Sequence, residues 1–273
     1  MAAAIFLFTK YDKCDITSVY HFQCHKETDM GTLIAFNLFL ILIVTGLLIA
    51  VKKWVRGPRA RYTVLLIASV VTVLVHYSSF FYYLTKGTAL EYVRDNLCLI
   101  LPLYPCNILM WCALGYGFIG NKDSKVALLL SDFMFWFGIF ATMAGMFANF
   151  DFLANPTLTD YEVVKSILSH ATLLFNILLI PVLGYLRPRF GRNMLNIVIA
   201  VVSMCLIGLY CNLTLEVLVS YEMAWDMNSM FLLHTPFEPM PFLRGQIIAP
   251  VALVPYFILF TVMDIIRLPR GER

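Results

Sequence analysis

Seven apolar stretches, near residues 31–52, 62–86, 96–119, 126–149, 162–186, 193–220 and 244–267, constrain this chain more than any other feature. Each is long enough to cross a bilayer, whose ~30 Å hydrocarbon core takes about 20 helical residues. In hydrocarbon every backbone N–H and C=O needs an internal partner, so such stretches fold as helices. The expected fold is all-α, a polytopic membrane bundle of seven transmembrane helices. Charged residues make up 14% of the chain, against roughly 25% in a soluble domain. The expected organisation is an exterior or interfacial segment (1–30), one seven-helix domain (31–267) and a short cytoplasmic tail (268–273).

Basic residues set the orientation. Lys52, Lys53, Arg56, Arg59 and Arg61 crowd the first connection, Lys122 and Lys125 the third, and Arg187, Arg189 and Arg192 the fifth, while Arg267, Arg270 and Arg273 end the chain. The other face is poorer, with Lys10, Lys13 and Lys26 before the first span, Lys86 and Arg94 in the second connection, none in the fourth and Arg244 at the edge of the sixth. Basic residues near span ends stay cytoplasmic, so the N-terminus is expected outside and the C-terminus inside, as an odd number of spans requires. Ala2–Phe8 precedes Lys10, Asp12 and Lys13, the reverse of a signal peptide's order. The first span then acts as anchor, and the expected location is the plasma membrane. Composition points to membrane lipids as partners and not to nucleic acid; it leaves oligomeric state open.

Of the seven cysteines, Cys14 and Cys24 share the expected outer side, where a disulfide is chemically possible, and the others lie in spans. No GxGxxG, P-loop, HExxH or GxSxG pattern occurs, and His21, Cys24 and His25 match no established metal-ligand spacing. Neither a metal nor an organic cofactor is expected. Tyr77, Tyr82, Tyr83, Trp111, Trp136, Tyr185 and Tyr221 read as interfacial anchors. Gly115, Gly117, Gly138 and Gly145 read as close-packing points between helices.

Polar groups at membrane depth are costly and tend to face the bundle interior. With the N-terminus outside, Cys106 lies roughly 15 Å, His170 roughly 12 Å and His76 roughly 15 Å below the outer face, at 1.5 Å per helical residue. Asn212 and Glu216 follow at roughly 12 and 6 Å. Cys106, Asn107, His76, His170, Asn212 and Glu216 thus converge on one expected polar cavity. The inner half holds chiefly Asp132 and Asp264. A thiol and an imidazole at one level are the minimal parts of an acyl-transfer site, if sulfur and ring nitrogen come within roughly 3 to 5 Å. Taken singly, each is as well explained by packing or an interhelical hydrogen bond. Pro102 and Pro105 flank this level and each removes a backbone donor, a break tolerated at membrane depth where it lines protein or a wet cavity.

Leu101-Pro102-Leu103-Tyr104-Pro105-Cys106-Asn107-Ile108 resembles the Leu-Pro-Leu-x-x-Cys-Asp-Ile element of the YwaF-type integral membrane proteins of bacteria. A eukaryotic relative of these is the transmembrane acyltransferase that acts on ether phospholipids. Phe135-Trp136-Phe137-Gly138, Ser169-His170, Tyr185-Leu186-Arg187-Pro188, Asn228-Ser229-Met230-Phe231-Leu232, Pro236, Pro250 and Pro255-Tyr256 follow in the same order, over roughly residues 96–260. The chain departs from the pattern at Asn107, where the family has Asp, and at Ser229, where it has Tyr. The resemblance implies a lipid acyltransferase or acyl hydrolase with Cys106 as nucleophile and His170 as base, and it adds Asn228 to the site lining. The competing reading is a transporter or small-molecule binding protein using the same cavity, since broken helices and midplane histidines serve both.

Overall fold

The computed structural model describes residues 30–95, 104–147, 157–186 and 190–233, with residues 244, 247, 251, 254, 258 and 262. The segment before residue 30, the tail, Cys14, Cys24, Cys98 and Asp264 lie outside the described residues. All regular structure among the described residues is helical: α1 (Met30–Trp54), α2 (Pro58–His76), α3 (Ser78–Thr85), α4 (Ala89–Asp95), α5 (Pro105–Phe118), α6 (Lys125–Phe147), α7 (Tyr161–Val182), α8 (Phe190–Leu218) and α9 (Tyr221–Met227). A 3₁₀ turn follows at Ser229–Phe231. Five of these, α1, α2, α6, α7 and α8, are long and apolar enough to cross a membrane.

Two expected spans take a different form. The apolar stretch 62–86 is broken at Tyr77 into α2 and α3. Serine hydroxyls compete with the backbone for helical carbonyls, and Ser78 Oγ takes the Val75 carbonyl at 2.7 Å just where the helix stops. In the third stretch the described helix starts at Pro105 and has 14 residues, about 21 Å of rise. Pro105 therefore opens a helix, the position where its missing N–H costs nothing, and does not kink one. Residues 96–103 and most of the seventh stretch lie outside the described residues, although Ile247, Val251, Val254, Ile258 and Val262 are helical and exposed.

Helix α7 is the centre of the bundle, with α6, α2 and α1 packed along it and α5 touching it. Its buried residues, among them Ile167, Ala171, Leu174, Ile177 and Leu179, are spread around the helix, the pattern of an element enclosed on all sides. By contrast α1 buries one stripe, Leu33, Asn37, Leu40 and Val44, and exposes Leu38, Phe39, Leu42 and Leu47. Such an apolar outer face is stable against lipid and not against water. The buried stripe is tied down by Asn37 Nδ2, which donates to the Met146 carbonyl at 2.6 Å.

Helices approach closely where side chains vanish. A Cβ on Gly117 would meet Ser69 Oγ at 2.8 Å, one on Gly138 would meet Ile177 at 2.6 Å, and one on Gly145 would meet the His170 ring at 2.1 Å. Gly115, expected to act likewise, has open space beside it. Trp136 is not an interfacial anchor: it sits midway along α6 and is 5% exposed, inside the core. Arg61 Nη1 donates to the Leu183 carbonyl at 3.4 Å, and Arg59, Lys122 and Gly184 line one cavity. The first, third and fifth connections therefore meet at one end of the bundle, its basic end.

Candidate active site

At the opposite end, Cys106 occupies the second position of α5. Tyr104 precedes the helix in extended geometry and its side chain makes no cap; its carbonyl accepts from Asn107 N and Ile108 N and Pro105 has no N–H, so the Cys106 N–H is the first-turn donor left beside the thiol. The sulfur lies against the backbone N–H groups of Cys106 and Asn107 and donates to Asn107 Oδ1 at 3.5 Å. Helix N-termini carry partial positive charge, so this position favours any negative charge that develops on sulfur or on an oxygen bonded beside it.

His170 is held by two constraints. Its ring rests against the bare backbone of Gly145, and Nδ1 is 2.8 Å from the Ser166 carbonyl. A carbonyl can only accept, so Nδ1 carries the proton in the neutral ring and Nε2 is left as the acceptor. Cys106 and His170 share no hydrogen bond: the thiol donates to Asn107 Oδ1, and the Nε2 edge of the ring faces the Gly145 backbone. What acts on both is Lys165, a buried lysine one turn before Ser169 and His170. Its ammonium pairs with Glu162 Oε2 at 3.3 Å, and the same carboxylate oxygen accepts from Ser79 Oγ at 3.1 Å. Glu162 Oε1 is buried and accepts no hydrogen bond. Tyr92, which bonds Ser79, closes this group, and burial pushes its hydroxyl up to about 12.

His76, at the last residue of α2, exchanges a hydrogen bond with Ser169 Oγ at 3.0 Å, so the two histidines lie side by side through adjacent residues of α7. Asn212 is committed elsewhere. Its amide takes the Ser229 N–H on Oδ1 at 2.8 Å and donates to the Ser229 carbonyl at 3.2 Å, clamping the 3₁₀ turn onto α8. Asn228 sits in the left-handed region at φ 40°, and its Oδ1 accepts from Leu233 N at 3.0 Å. Met230 and Phe231 are also at positive φ, a cost that bulky residues bear only where the surroundings impose it. Phe231 stacks on Tyr104 at 5.2 Å, and Tyr104 Oη donates to the Met227 carbonyl at 3.3 Å. The strained turn thus abuts the residue that starts the Cys106 helix. Glu216, expected in the same cavity, is exposed: it shares the Asn212 face of α8 but lies one turn nearer the helix end at Leu218, past the level at which Asn212 meets Ser229.

The sequence pattern of the TMEM164 family matches residues 25–266. The chain belongs to the TMEM164 family. No curated protein and no solved structure matches it. As a TMEM164 family protein with five helices among the described residues long and apolar enough to cross a membrane, it is an integral, multi-pass membrane protein, and its apolar outer faces are in contact with lipid. Sequence reasoning missed Lys165 in this family member and singled out Ser169 only as part of the Ser169-His170 element, not as the partner of His76. The signal for Lys165 was present: it is the one basic residue within the fifth apolar stretch, three positions after Glu162, where a helix brings the two together. No group of three or more metal-ligating side chains occurs among the described residues.

Proposed function

We propose that this TMEM164 family protein is a membrane-embedded lipid acyltransferase or acyl hydrolase, with Cys106 as nucleophile and His170 as base. The observation that carries the reading is the tautomer of His170: with Nδ1 bound to the Ser166 carbonyl, Nε2 is an oriented, unoccupied proton acceptor. An oriented base and a thiol at a helix start are the parts of nucleophilic acyl transfer. The resting sulfur bonds Asn107 instead of His170, and catalytic hydrogen bonds commonly tighten only when substrate is bound. The order of motifs shared with the YwaF-type proteins, and through them with the ether-phospholipid acyltransferase, supports the same assignment. The protein then sits in the plasma membrane with the Cys106 end outward.

In this scheme the thiol attacks the carbonyl carbon of a lipid ester while its proton passes to His170 Nε2. The carbonyl oxygen becomes an oxyanion, stabilised by the Cys106 N–H at the start of α5 and by Lys165. Collapse breaks the ester C–O bond, leaves a thioester on Cys106, and returns the proton from His170 to the departing lysolipid oxygen. A second alcohol, or water, then gives its proton to His170 as it attacks the thioester, yielding a new ester or a free fatty acid and restoring the thiol.

Labelling by an activated lipid ester tests the reading. The label should appear on Cys106, vanish in Cys106→Ala, fall strongly in His170→Ala, and persist when Cys112, Cys205 or Cys211 is replaced. Equal labelling of all four cysteines refutes it. So does a lack of lipid turnover combined with solute binding that depends on His76, which would favour the transport reading.

A further inference from the structure

The basic end of the bundle holds a cavity of about 1090 Å³ between the start of α2, the α5–α6 connection and the end of α7. It lies at the opposite end from Cys106, and the acyl-transfer scheme does not use it. Lys122 forms part of its wall and is 8% exposed. Its ammonium donates to the Tyr116 carbonyl and to the Gly117 carbonyl at 3.4 Å, and it stands 4.3 Å from the Tyr116 ring, 5.4 Å from Tyr62 and 6.0 Å from Tyr185. Three aromatic faces and two carbonyls stabilise a cation but do not neutralise it. An ammonium has three N–H donors, so one remains.

Among the described residues no carboxylate neutralises this charge. The ion pair among them is Lys165–Glu162, at the other end. Asp132, which shares the cavity, accepts from Asn196 Nδ2, and Asp123 is exposed at the rim. Burying an ammonium without a counter-ion is costly. That cost is visible in Lys122, whose burial pulls its pKa down to about 8.

A second, independent feature faces the same space. Helix α2 begins at the wall of the cavity with Pro58 at its first position and no side-chain cap on Gly57. The first backbone acceptance there is Arg61 N on the Gly57 carbonyl, so the N–H groups of Arg59 and Ala60 remain available. Such N–H groups with the helix dipole behind them favour an anion. Arg59 lines the cavity as well, and a guanidinium recognises phosphate through paired N–H donors. A buried cation without a carboxylate partner, an arginine and the uncapped start of α2 at one cavity form a complementary set for a tetrahedral oxyanion. We propose that this cavity binds a phosphate group, carried either by an anionic lipid or by a small soluble phosphate compound.

Thermal unfolding of the full chain in maltoside micelles tests this. One arm adds phosphatidic acid or, as reference, phosphatidylcholine to the micelles. The other replaces chloride by inorganic phosphate at constant ionic strength. Stabilisation by phosphatidic acid alone assigns a lipid headgroup, and stabilisation by inorganic phosphate assigns a soluble ligand. Either supports the proposal, provided that the apparent affinity falls about tenfold or more in Arg59→Gln, the loss expected for one charge-assisted contact. Lys122→Gln should do the same. Because Lys122 also caps α5 and its loss can impair folding, Arg59, which carries no such duty, decides the test. The double variant Lys52→Gln with Lys53→Gln removes nearby charge outside the cavity and should bind as wild type does. No shift with either probe overturns the proposal, as does a shift unchanged in Arg59→Gln or equally weakened in the Lys52, Lys53 variant.

Discussion

Replacing Gly145 by alanine tests whether bare backbone at this point of α6 is what seats the His170 ring. The new Cβ would lie 2.1 Å from His170 Cδ2 and Nε2 and 2.8 Å from Cε1, far inside van der Waals contact. The ring cannot swing away without leaving the Ser166 carbonyl, 2.8 Å from Nδ1. The choice is therefore between overpacking, which costs about 1–3 kcal/mol, and a lost hydrogen bond, worth about 1 kcal/mol. Alanine returns up to about 1 kcal/mol of helix propensity. Gly46→Ala supplies the reference, since Gly46 is also mid-helix and has nothing within 4 Å of its would-be Cβ. The two variants should differ by about 1–3 kcal/mol, Gly145→Ala being the less stable. Unfolding in detergent measures the difference, and Cys106 labelling in Gly145→Ala should fall with the displaced ring. Equal stability of the two variants, with labelling intact, refutes this account of the seat.

Asn212→Ala removes the acceptor of the buried Ser229 N–H and one of the donors to its carbonyl, which keeps Leu232 N, so it should cost about 1–3 kcal/mol of unfolding free energy; a loss below the error of the measurement counts against the clamp. Lys165→Met should slow labelling of Cys106 while leaving Asn107→Ala labelling less affected, because it removes the cation that acts on both Cys106 and His170; matched labelling rates in all three proteins contradict a role for Lys165. Phosphate binding at the basic end should be strongest below pH 8 and weaken as the pH rises through that value, since Lys122, with its pKa near 8, is the cationic partner and loses its proton there. Around it stand Arg59, Tyr62, Asp123, Asp132 and Tyr185, and in a Lys122→Gln protein that folds, the pH dependence between 7 and 9 should flatten. Titration of binding by calorimetry in the wild type and this variant separates the two cases.

The helical, membrane-crossing character of the chain was legible because length and continuous apolarity are the strongest signals a bilayer leaves in a sequence. The exact ends of the helices were not. A break at Tyr77 depends on hydroxyls capturing carbonyls, a competition that hydropathy does not register, and Pro105 reads alike as a kink or as a start. Depth arithmetic placed Cys106, His76 and His170 towards one end, since rise per residue is fixed; that His76 meets Ser169, beside His170, was not read from it. Rotation about the helix axis was not legible. It decides that Asn212 turns inward to Ser229 and that Trp136 lies in the core. Lys165 escaped notice because a single lysine near a span end reads as an anchor until its carboxylate partner is seen.

Acyl-enzyme formation tests the central claim most directly. Purified protein mixed with a phospholipid, quenched with acid and digested, should yield a Cys106 peptide heavier by one fatty acyl group, and hydroxylamine should release the group as expected for a thioester. The adduct should be missing in Cys106→Ala and formed far more slowly in His170→Ala. Lipid turnover that proceeds undiminished in Cys106→Ala, or an acyl group found on another cysteine and never on Cys106, would contradict the account.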